Sequence, residues 1–242
     1  MSGITDQVST SIDALTKEFD IIAHNLANVS TVGFKRRCNA FSKSLEAQEA
    51  ESYSPGTIDL NSVFDFSQGP IVETGRPLDF ALHGKGFFAI ETPEGPLYTR
   101  NGTFQTNQNS QIVDSLGRIV AGQAGPITIP NNVGISQLNV SSDGTISAGE
   151  IAVGKFRLVD FNNNDNKLVP TGDSCYRMPD ENIQPAAAEK VVVKQGYQEA
   201  SNVQIIDELV DMILVSRLYE ANMKSLTAAK ETSSSLLSVA MG

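Results

Sequence analysis

Residues 201–226, SNVQIIDELVDMILVSRLYEANMKSL, decide the fold. Ser201 stands three residues before Gln204, a capping-box spacing in which each side chain can satisfy the other's backbone N–H. Asp207 and Glu208 follow where a helix dipole favours negative charge. No Gly or Pro interrupts the chain from Asn202 to Met241, so the segment predicts a helix on the order of 55 Å long at about 1.5 Å per residue. Leu209, Met212, Tyr219, Met223 and Leu226 form one apolar seam, and Ile206, Val210 and Ile213 form another beside it. Leu214, Val215 and Leu218 widen the stripe. One partner helix cannot cover so much circumference, so several neighbours are expected. The central helix of an ordinary globular core would show the same pattern.

The other end of the chain answers this helix. Ile4, Val8, Ile12, Leu15, Phe19, Ile22 and Leu26 are spaced by three or four residues, an a/d-like seam on one helix face. Gly33 supplies a break, with turn-prone Asn28 and Ser30 before it. Between about 55 and 200, short runs rich in Val, Ile, Phe and Thr alternate with Gly, Asn, Asp and Pro, as in FFAIET, GPITIP, GKFRLVDF and KVVVKQG. Turn signals recurring every 8–12 residues or so indicate antiparallel β structure. Asn101-Gly102 and Asp143-Gly144 are hairpin-turn candidates. The stretch from Ser44 to Gly69 is weakly patterned and reads as a linker or arm. The expected class is α+β, with terminal helices forming a coiled-coil-like inner domain around a central antiparallel β domain. Expected boundaries are 1–38 for the N-terminal helix and its turn, 39–76 for the arm, 77–199 for the β domain and 200–242 for the C-terminal helix.

Composition narrows the function classes. The 242 residues are 40% hydrophobic and 19% charged, which suits a folded chain. A formal charge of −10 repels nucleic acid and anionic lipid, and no basic stripe offsets it. No stretch approaches the roughly 18 apolar residues that span a bilayer. MSGITDQVSTSID has neither a basic n-region nor an apolar h-region, which argues against a cleaved signal. Two cysteines, Cys38 and Cys175, are too few for a disulfide framework and are expected to be unpaired thiols.

Catalytic and metal-binding readings find little material. His24 and His83 are the only histidines, leaving a histidine-based zinc site or a triad little to draw on. Cys38 adjoins Lys35, Arg36 and Arg37 but lacks a nearby His or a helix N-terminus to activate it. Asp160–Lys167 carries oxygen-bearing side chains at alternate positions, as a calcium loop would, yet Asp165 occupies the place of the required Gly and Thr171 that of the closing Glu. A β-hairpin loop is the expected structure there. Gly84-Lys85-Gly86 lacks the third glycine and following helix of a dinucleotide site. No catalytic residue, cofactor or metal is expected.

Several stretches resemble one family. Ala27-Asn28-Val29-Ser30-Thr31-Val32-Gly33-Phe34-Lys35 resembles the A-N-x-x-T-x-G-[FY]-K signature of flagellar rod and hook proteins. Gly196-Tyr197-Gln198-Glu199-Ala200-Ser201-Asn202-Val203 is similar to that family's entry to its C-terminal helix, which continues with Glu208, Met212, Ile213, Arg217, Tyr219, Glu220, Asn222 and Lys224. In the middle, Leu78-Asp79-Phe80-Ala81-Leu82 with Gly84, Gly86, Phe87 and Phe88 resembles L-D-x-A-I-x-G-x-G-F-F. Tyr98-Thr99-Arg100-Asn101-Gly102-Thr103-Phe104 resembles Y-T-R-x-G-x-F, and Asp143-Gly144-Thr145 a third element. Ser110 departs from the pattern by standing where a Gly is usual, and Gln204 replaces an Asn or Asp.

What the resemblance implies is a structural subunit of the basal-body rod, not an enzyme. Only about 40 residues separate Gly33 from Arg76, a spacing more like the proximal-rod than the distal-rod type. Implied partners are further copies of the chain, other rod subunits, adjacent basal-body proteins and the flagellar export apparatus, with no nucleic acid and no membrane insertion. The implied location is the rod crossing the periplasm, reached without a cleaved signal peptide. The assembly interface is expected at Ile12, Leu15, Phe19, Ile22, Leu26, Asn28, Thr31, Gly33, Phe34, Ser201, Asn202, Val203, Leu209, Met212, Ile213, Arg217, Tyr219 and Met223. A secreted β-rich binding module or carbohydrate-active enzyme is the competing class, and the apolar stripes at both ends speak against it.

Overall fold

The computed structural model describes residues 2–39, 62–131, 133–149 and 151–241. Most of the expected arm, 40–61, lies outside the described residues, as does the side chain of Ile4. The described chain falls into two compact units, one drawn from 1–27, 37–65 and 203–242 and the other from 28–36 and 66–202.

The first unit is helical. Helix α1 runs Ser2–Ala27 and helix α2 runs Ile205–Met241. They pack on each other, and α1 also packs on β1 (Arg37–Asn39), which pairs antiparallel with β2 (Ser62–Phe64). α2 starts later than the capping-box reading requires. The first helical hydrogen bond runs from the Glu208 N–H to the Gln204 carbonyl, so Gln204, not Ser201, holds the N-cap place.

The second unit is a β structure whose pairings are all antiparallel. It opens with β3 (Ile71–Glu73), β4 (Phe80–His83), β5 (Phe87–Glu91), β6 (Leu97–Thr99), β7 (Gln105–Thr106), β8 (Ile112–Val113), β9 (Ile119–Gly122) and β10 (Gly125–Pro126). It continues with β11 (Leu138–Val140), β12 (Thr145–Ala148), β13 (Ile151–Lys155), β14 (Leu158–Asp160), β15 (Val169–Gly172), β16 (Cys175–Arg177), β17 (Ala186–Ala187), β18 (Val192–Gln195) and β19 (Tyr197–Glu199). The main sheet runs β15-β16-β6-β5-β9-β8-β7, with β14 on β5 and β10 on β9. β11-β12-β13 form a second sheet, and β18 pairs β4 while β19 pairs β3. The last two ladders bring residues before 84 against residues after 191, so the unit closes on its own ends in sequence.

Its core is largely aliphatic, with Phe80, Phe88, Phe104 and Phe156 interlocked within it. Phe88 lies edge-on to Phe104 at 5.2 Å and to Phe156 at 5.4 Å, and Phe80 meets Phe156 at 5.1 Å, the geometry that ring quadrupoles favour. The Asp143-Gly144 turn joins β11 to β12, with Gly144 at φ +83°. Asn101-Gly102 is no hairpin turn, because β6 pairs β5 and β16 while β7 pairs β8. Gly102 is needed there for another reason: a Cβ would collide with the Phe80 carbonyl oxygen. Nor is 160–167 a hairpin loop. It links β14 to β15, which do not pair, through Asn162 and Asn163 at positive φ and a 3-10 turn at Asp165–Lys167.

Candidate functional site

The signature segments meet inside the β unit. Gly33, at φ +68°, donates its N–H to the Glu199 carbonyl at 2.7 Å. A Cβ on it would lie 2.7 Å from the Arg100 carbonyl carbon and collide with the Asn101 nitrogen. That close approach places Lys35 over Glu199. Lys35 Nζ lies 2.6 Å from Glu199 Oε1 and donates to the Ser67 carbonyl at 2.6 Å, and both charged side chains are 0% exposed. The Gly69 N–H also donates to Glu199 Oε1, at 3.0 Å. Arg100 Nη1 stands 3.7 Å from Glu199 Oε2, Nη2 donates to the Gly84 carbonyl at 2.7 Å, and the guanidinium lies over the Phe87 ring. Burial pulls the Arg100 pKa down, opposed by the fields of Glu199, Asp165 and Asp160.

Around this core the polar signature residues act as fasteners. Asn202 accepts from the Arg36 N–H at 2.7 Å and donates to Ser67 Oγ at 3.0 Å. Asp79 Oδ2 accepts from Thr74 Oγ1 at 2.7 Å and from Gln198 Nε2 at 2.9 Å. Thr31 Oγ1 donates to Asn28 Oδ1 at 3.2 Å within the turn that follows α1. Ser110 takes φ +57° itself, so the turn keeps a left-handed residue where a Gly is usual.

In the helical unit, Asn25 and Glu208 are both 0% exposed. Asn25 Nδ2 lies 3.2 Å from each Glu208 carboxylate oxygen and donates to the Arg37 carbonyl, while its Oδ1 accepts from the Arg37 N–H. Beside them runs an open groove of about 510 Å³, lined by Leu15, Thr16 and Phe19 of α1 and Val215, Ser216, Tyr219 and Glu220 of α2. Among the described side chains of α2, only Glu208 and Val215 are buried. Ile206 is 76% exposed, Ile213 54% and Leu209 46%.

The expected interface residues therefore separate by place. Ile22, Gly33, Phe34, Ser201 and Val203 are buried; Ile12, Leu15, Leu26, Asn28, Thr31, Asn202 and Met212 are half-buried; Phe19, Leu209, Ile213, Arg217, Tyr219 and Met223 are exposed. Sequence reasoning passed over Asn25, quoted Lys35, Arg100 and Glu199 without giving them a role, and read Glu208 only as a charge suited to the helix start. A charged residue inside an otherwise apolar or glycine-bearing signature, as in Gly33-Phe34-Lys35, was the available signal.

This arrangement holds segments together and has little means of turning over a substrate. Water does not reach the Lys35–Glu199 pair. Cys38 and Cys175 are both buried, and burial pushes the Cys175 thiol up despite the neighbouring Arg118 guanidinium, which leaves a poor nucleophile. Among the described residues no group of three or more His, Cys, Asp or Glu side chains is placed to hold a metal, and no described helix is long and apolar enough to cross a membrane.

Comparison with known proteins agrees with this reading. A family model described as the flagellar hook protein FlgE/F/G D1 domain matches residues 81–148. A second, described as the flagellar basal body rod FlgEFG protein C-terminal, matches 194–239. The flagellar basal-body rod protein FlgF of Caulobacter vibrioides is 34% identical over 227 residues, covering 91% of each chain. FlgG of Buchnera aphidicola (strain APS) is 33% identical over 249 residues, covering 92% of this chain and 94% of its own. FlgF of Salmonella typhimurium is 32% identical over 229 residues, covering 87% of each.

Proposed function

Given that this chain belongs to the flagellar hook and basal-body rod family and is a structural subunit of the rod, not an enzyme, we propose that it is a subunit of the proximal rod and joins its neighbours through α1 and α2. Membership in the family places it among other rod and basal-body components. The observation that carries the finer reading is the apolar face of α2. Ile206, Leu209, Val210, Ile213, Leu214 and Leu218 are 46–76% exposed on consecutive turns, more contiguous apolar surface than a soluble monomer usually leaves to water.

In this proposal the helices form a coiled-coil-like inner layer around a central channel and the β unit faces outward. Burial of helix faces between neighbours would contribute about 25 cal/mol per Å². Contacts that repeat head to tail without closing would extend into a shaft rather than a ring. Such a shaft crosses the periplasm and carries torque from motor to hook. Its subunits arrive through the flagellar export apparatus as loosely folded chains, which suits helices that gain partners only on assembly.

A proximal place of the FlgF kind is favoured by length. The match to Buchnera FlgG runs over 249 residues, more than the 242 of this chain, so that relative has residues this chain lacks. The match to Caulobacter FlgF spans 227 for nearly the same share of this chain. A distal place of the FlgG kind is the second reading. Imaging of purified basal bodies tests both. The chain is expected in the motor-side part of the rod with its helices innermost, and density for it only in the distal part would select the second reading.

A further inference from the structure

The β unit is joined by two stretches from opposite ends of its sequence, only one of which lies outside its main run. The strap 28–36 precedes 66–202 by some thirty positions, and Glu199 lies at the far end, 164 positions from Lys35. The strap reaches the unit through the Gly33 N–H on the Glu199 carbonyl, Lys35 Nζ on Glu199 and Ser67, and the Arg36 N–H on Asn202. At Gly33 against Asn101, and at Gly69 against the Ala200 carbonyl, the backbones approach too closely for a Cβ to intervene. The buried charges therefore sit at a junction of fixed dimensions.

A carboxylate in a water-free interior persists only beside its counter-charges. Glu199 has two, Lys35 at 2.6 Å and Arg100 at 3.7 Å, and the three side chains are 0–3% exposed. Arg100 Nε and Nη1 and Glu199 Oε2 have no hydrogen-bond partner among the described residues, so this charge balance rests on the ion pairs. Without the strap, Glu199 must either be buried short of a cation or pull away into water. The second course would undo the pairing of Tyr197–Glu199 with Ile71–Glu73.

We propose that Lys35, Glu199 and Arg100 form a two-ended latch, so that the β unit reaches its closed packing only when the strap before it and the strand that ends it are both seated. A chain threaded from either end then cannot complete this unit until residues 35 and 199 are both free to meet. The inference concerns how the unit closes and does not rest on its place in the rod.

Amide hydrogen exchange on the full-length chain tests it, read at Phe80–His83 and Phe87–Glu91 in the sheet core. Glu199→Met leaves two buried cations without their shared anion, and exchange there is expected to accelerate on the order of 100-fold. Adding Lys35→Met removes one stranded cation and should recover roughly tenfold of that loss. Acceleration confined to 28–36, 69 and 197–202 overturns the latch, as does a double variant that exchanges no more slowly than Glu199→Met. Should Glu199→Met yield no folded chain, the double variant decides by itself: if it folds the latch stands, and if it does not the latch is wrong.

Discussion

In the β unit Phe88, Ile90, Leu82 and Ile112 are 0% exposed, whereas in the helical unit Ile206 stands 76% exposed with Ile213 and Leu218 at 54%. Both sets are large aliphatic or aromatic side chains in regular structure. The difference lies in what each region can bury by itself. A sheet system that closes on its own ends encloses its apolar faces, while packing of α1 on α2 covers one stripe of α2 and leaves its other described apolar side chains exposed. The first region is finished within one chain. The second leaves apolar side chains exposed, and in the proposal above other molecules cover them.

The sharpest way to break that contrast is to remove an apolar side chain from each region. Phe88→Ala should cost about 3–5 kcal/mol of β-unit stability in chemical denaturation. Ile206→Ala should cost less than about 0.5 kcal/mol in the free subunit. Similar losses from both would erase the distinction. Its companion is Leu209→Asp or Ile213→Asp, which should leave the free chain folded yet abolish swimming, since burying an unpaired charge in a lattice costs several kcal/mol. Normal swimming in both would remove this helix face from the assembly.

A smaller effect is expected inside the helical unit. Asn25→Ala strips the Arg37 backbone N–H and carbonyl of their side-chain partner and takes a donor from Glu208, for a cost of about 2 kcal/mol. Protease sensitivity of α1 should rise while exchange in the β unit stays unchanged.

Acidity should separate the units more gently. Burial, and after it the Arg37 guanidinium, pushes the His24 pKa below its usual 6.5. The folded chain thus binds that proton later than the unfolded chain does. The contribution of His24 is complete above about pH 6.5 and is lost as the pH falls through and below it. Helical circular dichroism on melting should show a lower midpoint at pH 5.5 than at 7.5, and His24→Gln should shrink that gap. Smallest of all, Ser110→Gly should stabilise the β unit by no more than about 1 kcal/mol, because a left-handed residue with a Cβ is strained. Loss of the Ser110–Asn131 hydrogen bond at 2.8 Å offsets part of this.

What could be read in the sequence was what is local. Periodicity from Val8 to Leu26, the uninterrupted run to Met241 and the turn around Gly33 gave both helices and the break, because each depends on residues a turn or two apart. Asn101-Gly102 misled for the same reason. Its dipeptide signal is local, while the demand for a glycine comes from Phe80, more than twenty positions away. The capping-box spacing of Ser201 and Gln204 is likewise real in sequence, but Ser201 is drawn into the buried junction beside Glu199 before α2 begins. Nothing in the spacing of Lys35, Arg100 and Glu199 says that they meet. Ion pairs have no periodicity, and only the closing of the sheet brings these three together. The side of α2 that faces α1 was hidden too, because Glu208 stands in the buried stripe where a pattern search looks for apolar residues.

The Asn25–Glu208 contact has a mechanical consequence. Two long helices joined by aliphatic side chains alone can slide past each other by one turn, about 5.4 Å, and find similar contacts again. Here a one-turn slip in either direction would break the contacts of the Glu208 carboxylate with the Asn25 amide, and one of the two directions leads toward Ile22, which is 2% exposed. An acid forced against an aliphatic wall costs several kcal/mol, so the pair has a single detent. In a subunit that carries load along its length, as proposed above, such a pair would favour one register of the two helices over its neighbours.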